Sequence, residues 1–400
     1  MKLIILASHP VQYHAPVFRV VAAQLAEAGH DCLVVYLSDF SIQGYQDAGF
    51  GTAVTWDEPL LAGYRSQVLN PNQTQQPQRF SDLQAPGWSQ LLQREQPTEV
   101  LVTTLNYQGA VVAALQARLR GIPCLLRVET NDVAVVRSRW KSIARSLWYR
   151  SLYTLLFEGA IAIGSLNQAH LIRHGIAADN IGLAYYCVPN RFQEFKAEEK
   201  EQLRRSLRAE LGIGETQTVL LFSGKLIPKK NPQLLLEAVA QLSETERNSI
   251  AIFYLGSGEL DADLQSRAAQ LPNVKVHFTG FKNQQQLPPY YLAADALILP
   301  SQQAGETWGL VVNEAMQAGL PCIVTQAVGC AVDFQSFPHF QTISTADAGA
   351  LAGAIASLLS IPRDFDRYAD CLQPFSVEAC GKAIADFAIA RSQSKATRLS

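Results

Sequence analysis

Short runs of β-branched and apolar residues alternate along this chain with stretches whose apolar positions recur every three to four residues. That alternation predicts parallel strands joined by right-handed helical crossovers, an α/β architecture. In the first half the strand-like runs are 3–8, 32–37, 100–104, 124–128 and 160–163, with helical patterns near 16–28, 108–120, 139–157 and 166–174. Residues 39–95 break the rhythm with Gly, Pro and Gln-rich stretches and read as a functional or mobile insertion. The rhythm restarts with strand-like runs at 218–223, 250–255, 274–279, 296–299 and 322–325. Helical patterns near 232–242, 262–271, 285–293 and 310–318 alternate with them. A charge-dense stretch over 190–215 separates the two series. We therefore expect domains at 1–192 and 193–375, with 376–400 a C-terminal helix packing back toward the first. Two doubly wound domains facing each other would bind a ligand in the cleft between the carboxyl ends of their sheets.

Composition narrows the class. A length of 400 residues suits two cores rather than one. With 48% hydrophobic residues, 17% charged and a net charge of −2, the chain is globular and too neutral for a nucleic-acid binder. Its seven cysteines are scattered without a CxxC pair, which reads as reduced cytosolic thiols and predicts neither disulfides nor a metal site. Asn72-Gln73-Thr74 is then a chance sequon. The opening apolar run stops at His9-Pro10, as a buried first strand does and a signal peptide does not. Nowhere do 18 apolar residues run together, so no membrane-spanning helix is expected.

The segment from Gly305 to Met316 carries the strongest chemistry. Glu306 and Glu314 lie eight residues apart, after a strand-like run and across the start of a helical pattern. Gly305 and Gly309 permit a tight turn and a close approach of backbone to ligand. A loop opening a helix presents free N–H groups and the positive end of the helix dipole, which suits an anion. Acids flanking that anion would hold hydroxyl groups, the pairing a nucleotide sugar needs. Upstream, Ser223 to Pro232 follows a strand and opens a helix, so Lys225 and Lys230 bracket a turn and converge on one anion. Fixed cations there would stabilise a diphosphate as it leaves. A solvated lysine cluster beside a helix start is the alternative reading of the pair taken alone.

Together these motifs resemble glycosyltransferase family 4, retaining enzymes of the GT-B fold with two Rossmann-like domains. Lys225 and Lys230 match the family's basic pair, Glu306 and Glu314 its two acids, and Gly256-Ser257-Gly258 its strand-end glycine loop. Phe278-Thr279-Gly280-Phe281 is similar to the stretch whose backbone meets the base, and Ala293-Ala294-Asp295 and Leu299-Pro300-Ser301 also fit. The resemblance implies that Glu306 contacts the donor sugar and Glu314 the ribose. It places backbone amides near Thr307, Trp308 and Gly309 at the diphosphate, and counts Gly305, Leu310, Gly256, Gly280 and Phe281 among the other substrate-binding residues. Lys225 and Lys230 would neutralise the departing nucleotide without a metal ion or other cofactor. The family usually has arginine where Lys225 stands, and lysine lacks the bidentate fork.

In the first half, His-Pro-Val-Gln-Tyr at 9–13 resembles a bacterial subgroup, as do 56–61 and 127–132, although the loop after the first strand has no glycine. The resemblance gives His9, Glu129 and Asn131 to the acceptor or donor sugar, while His9 and Asp132 read equally well as caps of helices or turns. Residues 137–150 hold five cations, two tryptophans and no acid. They read either as a crossover helix with a solvated basic face or as a surface for anionic lipid. The expected activity is transfer of a sugar from a nucleotide diphosphate to a hydroxyl of a carbohydrate or lipid-linked acceptor. Polysaccharide, lipopolysaccharide or glycolipid synthesis in the cytoplasm, at the inner face of its membrane, would use it. A non-catalytic nucleotide-binding partner subunit and a sugar-nucleotide epimerase are the alternatives.

Overall fold

Successive residues of the first strand enter two different cores. In the computed structural model, which describes residues 1–47, 49, 52–54, 56–135 and 138–399, Leu3, Ile5 and Ala7 face one cluster while Ile4 and Leu6 face another. Val219 and Leu221 likewise part from Leu220 and Phe222. Strands apolar on both faces must be covered on both, which is the condition of a parallel sheet between helical layers.

The first sheet contains β1 (Lys2–Ala7), β2 (Asp31–Ser38), β5 (Ser66–Asn70), β6 (Glu99–Val102), β7 (Cys124–Leu126), β8 (Gly159–Ala162) and β9 (Ile181–Leu183). A separate hairpin, β3 (Tyr45–Asp47) and β4 (Thr52–Val54), intervenes. The sheet order is β5-β2-β1-β6-β7-β8-β9. The second sheet contains β10 (Thr218–Ser223), β11 (Ile250–Leu255), β12 (Lys275–Gly280), β13 (Ala296–Leu299), β14 (Cys322–Thr325) and β15 (Phe340–Ile343), in the order β12-β11-β10-β13-β14-β15. Each order reverses once, between β1 and β6 and between β10 and β13. The loops leaving those strands, at Ser8 and Thr103 and at Gly224 and Ser301, are where a ligand belongs in such sheets.

Three segments differ from the sequence expectation or complete it. Residues 39–95 are not a bare insertion: they supply edge strand β5 and the helix Trp88–Glu95. The charge-dense stretch folds as the helix Ala197–Glu210. Its Arg204 donates to the carbonyls of Leu292, Ala293 and Ala294 at 3.2, 2.9 and 3.0 Å, capping the end of the helix Pro288–Ala293. Arg204 and Arg208 also meet Asp295 at 2.6 and 3.1 Å. The helix Val377–Leu399 leaves the second sheet and lies on His14–Glu27, where Cys380, Ile384 and Ala388 join the core under β1. Among the described residues no helix is long and apolar enough to cross a membrane.

Arg391 fastens that last helix by meeting buried Glu99 at 3.3 Å. Removing one member of a buried pair strands the other's charge. We expect Arg391→Ala to cost about 3 kcal/mol in urea unfolding, with Arg391→Lys recovering part of it.

Candidate active site

The helix Leu310–Gln317 begins at Gly309, whose φ of 98° only glycine adopts without strain. Three carbonyls before it are held by the protein. Lys229 Nζ donates to Gly305 O at 2.7 Å, Asn131 Nδ2 to Thr307 O at 3.1 Å, and Cys330 N–H to Trp308 O at 3.0 Å. Gly329 lies so close beneath that a Cβ there would stand 1.8 Å from Thr307 O. With those carbonyls turned into the protein, the N–H groups of Thr307, Trp308 and Gly309 find no acceptor among the described residues. Together with the helix N-terminus they form a donor surface for an anion. The Gly305 N–H does not join them, because it is spent on Ala134 O at 2.7 Å.

The two acids occupy opposite environments. Glu306 is buried, paired with Lys230 and bonded by Ser301 Oγ at 3.1 Å. Burial alone would raise its pKa. The charge and hydrogen bond of Lys230, aided by Lys229 and Ser301, outweigh that and hold it below the ordinary carboxylate value. Glu314 accepts from Tyr291 OH at 2.7 Å and Gln284 Nε2 at 3.3 Å. Here burial wins, and its pKa is raised despite those bonds and nearby Arg191. Lys229, which sequence reasoning passed over although it stands inside the quoted motif, has its pKa lowered by burial against the pull of Glu306.

Two cavities share Tyr13 in their walls, one reaching Val311 and Glu314 of the helix and the other Thr307 of the loop. One, of about 270 Å³, is lined by Lys225, Gly256, Phe281 and Glu314 from the second domain and by Gln12, Tyr13 and Trp56 from the first. Gly280 sits beside it, bridged to Gly256. The other, of about 690 Å³, is lined by His9, Glu129, Trp148, Tyr149 and Thr307. Trp308 lines neither: its ring is buried and its Nε1 donates to Asn313 at 2.8 Å. Asn131 is buried too, its carbonyl oxygen accepting from Val133 and Ala134 N–H, so it shapes the loop from both ends.

Glu129 belongs to a cluster assembled from three segments. Its side chain is 46% exposed and lines the larger cavity; the carboxylate accepts from Tyr186 OH at 2.7 Å, and His14 Nε2 lies 3.2 Å from that hydroxyl. Surrounding protein raises the Glu129 pKa, with Tyr186 and Arg127 pulling the other way. Burial pushes His9 down to about 4. His14 falls to about 3 by burial, helped by Arg127 and His9.

Residues 204–371 match the family model described as glycosyl transferases group 1. This segment is a glycosyl transferases group 1 domain. The chain shares 30% identity over 209 residues with a D-inositol 3-phosphate glycosyltransferase of Streptomyces coelicolor, covering 49% of this chain and 45% of that protein. The chain spans between 32% and 45% of the curated relatives' lengths in such matches. HepE of Anabaena, solved in complex with UDP-glucose, has a TM-score of 0.60 at 18% identity over 99% of both chains. A Neisseria meningitidis UDP-GlcNAc 2-epimerase also reaches 0.60, at 14% identity over 98% of this chain and 100% of that one. The fold around the group 1 domain is GT-B, two Rossmann-like parallel-sheet domains.

His9 and His14 carry folded pKa values below the ordinary 6.5, so the unfolded chain takes up their protons first. Their contribution to stability is full above about pH 6.5 and is lost as the pH falls toward 4. We expect the melting temperature to drop over that interval, and His9→Gln with His14→Gln to flatten the drop. An unchanged slope would show the protons go elsewhere.

Proposed function

We propose that the chain is a retaining glycosyltransferase of family 4, moving a sugar from a nucleotide diphosphate sugar to an acceptor hydroxyl without a metal ion. The observation that carries this is the donor surface of Thr307, Trp308 and Gly309, which lies in sequence between the lysine-bound acid Glu306 and Glu314 in the wall of the smaller cavity. In this reading Glu314 and Gln284 take the ribose hydroxyls, and Gly256, Gly280 and Phe281 border the base. The diphosphate lies against the loop amides with Lys225 and Lys230 beside it. Those cations gain most from the charge that develops as the sugar–phosphate bond breaks, so they favour the transition state over the ground state. Glu306, kept ionised by Lys230, holds the donor sugar's hydroxyls. The larger cavity receives the acceptor, with His9 and Glu129 on its wall, and the leaving phosphate oxygen takes the acceptor proton on the same face of the sugar.

An epimerase would share the fold and the nucleotide, but product analysis separates the two, since only a transferase yields a new glycoside. A non-catalytic subunit is disfavoured by the retention of both acids and both lysines. We expect Glu306→Gln to slow transfer by on the order of a hundredfold with nucleotide binding preserved. Changing Lys225 and Lys230 together to Ala should abolish binding of UDP and GDP. Wild-type transfer by the first variant, or unchanged binding by the second, would remove these assignments.

The same reading places the chain in the cytoplasm, at the inner face of the membrane. The helix Arg139–Leu156 supports this, for Trp140 (82% exposed), Ile143, Leu147 and Leu155 form an outward apolar stripe. Arg139, Lys141, Arg145 and Arg150 surround it, while Arg137 lies outside the described residues. A lipid-linked acceptor would reach the larger cavity past Arg145 and Trp148, which line it. Flotation with vesicles containing anionic lipid at low salt should carry the protein, and salt should release it.

A further inference from the structure

The helix Ser165–Arg173 and the residue closing it carry two histidines one turn apart, His170 and His174, with ring centroids 4.2 Å apart. Both are buried. Asp132, next to Asn131 in the loop that holds Thr307, brings Oδ1 to 2.9 Å from His170 Nδ1. One ligand atom from each of the three residues lies within 4.8 Å of the other two.

The second nitrogen of each ring is already engaged. His174 Nδ1 lies 2.7 Å from the His170 carbonyl, which can only accept, so Nδ1 carries the proton and Nε2 the lone pair. His170 Nε2 lies 3.2 Å from Tyr153 OH. When that hydroxyl donates, His170 Nδ1–H donates to Asp132; when it accepts instead, His170 Nδ1 and the Asp132 carboxylate both present lone pairs to the same space. Ring nitrogens held from behind by a carbonyl and a hydroxyl are the outer-shell pattern of metal-binding histidines. Two imidazoles and a carboxylate form a donor set for zinc and cobalt, and histidines four residues apart on a helix present one face to an ion. The Asp132 side chain is 38% exposed, which admits water to a fourth position. Arg173, 3.6 Å from Asp132 Oδ2, is the competing cation.

We propose that Asp132, His170 and His174 bind one divalent ion of the zinc type. The ion would tie the loop at 131–135 to the helix Ser165–Arg173. That loop also supplies Asn131 to Thr307 O and Ala134 O to the Gly305 N–H, so the ion would stiffen the support of the donor surface without entering the reaction. The rival occupant is a proton shared by Asp132 and His170.

The test uses the full-length chain without a histidine tag, stripped with chelator and titrated with Co²⁺, then Zn²⁺, by absorption spectroscopy, calorimetry and thermal unfolding. One equivalent of Co²⁺ should give the ligand-field bands of a four-coordinate site, Zn²⁺ should displace it, and Zn²⁺ should raise the melting temperature. Asp132→Asn keeps an acceptor for His170 but removes the charge, and should weaken binding at least about tenfold. His174→Gln should do the same, and if it fails to fold Asp132→Asn decides. Absence of saturable binding to folded wild-type protein would overturn the proposal. So would binding that Asp132→Asn leaves unchanged, which would point instead to the exposed thiol of Cys371.

Discussion

The cleft depends on where three peptide carbonyls point. Peptide planarity sets each C=O opposite the N–H of the following residue. Fixing Thr307 O and Trp308 O inward therefore aims the Trp308 and Gly309 N–H groups the other way, while Lys229 holds Gly305 O at the start of the same loop. Those amides need no side chain to bind an anion and undergo no reorganisation when it arrives. One of the three anchors, Asn131, comes from the first domain. The donor surface is thus complete only when the two domains meet, and Gly329 lets the backbone beneath it come close enough for the anchors to reach.

That scaffold explains how two identical acids come to differ. Glu306 follows the first fixed carbonyl directly, within reach of Lys230, and remains a carboxylate despite burial. Glu314 lies a turn and a half into the helix, where its neighbours are hydroxyls and an amide, and burial raises its pKa. Environments that push like groups apart are how one fold assigns them separate tasks. A carboxylate held ionised by a lysine suits a site of developing charge, whereas one bonded to neutral donors suits exchange of hydrogen bonds with hydroxyls.

What was legible in the sequence is what is local in it. Strands apolar on both faces declared themselves, and so did the motifs around Lys225 and Glu306, each confined to a dozen residues. Edge strand β5 did not, because Ser66–Asn70 is half-buried and mostly polar. The helix Ala197–Glu210 was hidden by its charge, since Arg204 and Arg208 turn inward to Asp295 and to carbonyls rather than outward to water. The roles of Lys229 and Asn131 arise from contacts with residues 76 and 176 positions away. The cluster of His14, Glu129 and Tyr186 joins three segments distant in sequence, and no spacing along the chain could have announced it.

The glycine-free loop after β1 departs from the resemblance, and the cavities give it a physical reason. Its side chains, not its backbone, face the ligand space. Gln12 walls the smaller cavity, His9 and His14 the larger, and Tyr13 touches both. Burial, with the Glu314 carboxylate nearby, raises the Tyr13 pKa, so its ring stays neutral while its hydroxyl meets Gln284 Nε2 at 3.4 Å. Gln284 in turn donates to Glu314, which makes Tyr13 a partition between the proposed donor and acceptor spaces that is also wired to the ribose acid. A glycine-rich loop would bring backbone closer to a phosphate but would leave that partition unbuilt. In the proposed reading the phosphate surface is supplied by the other domain, and the first loop is free to divide the cleft.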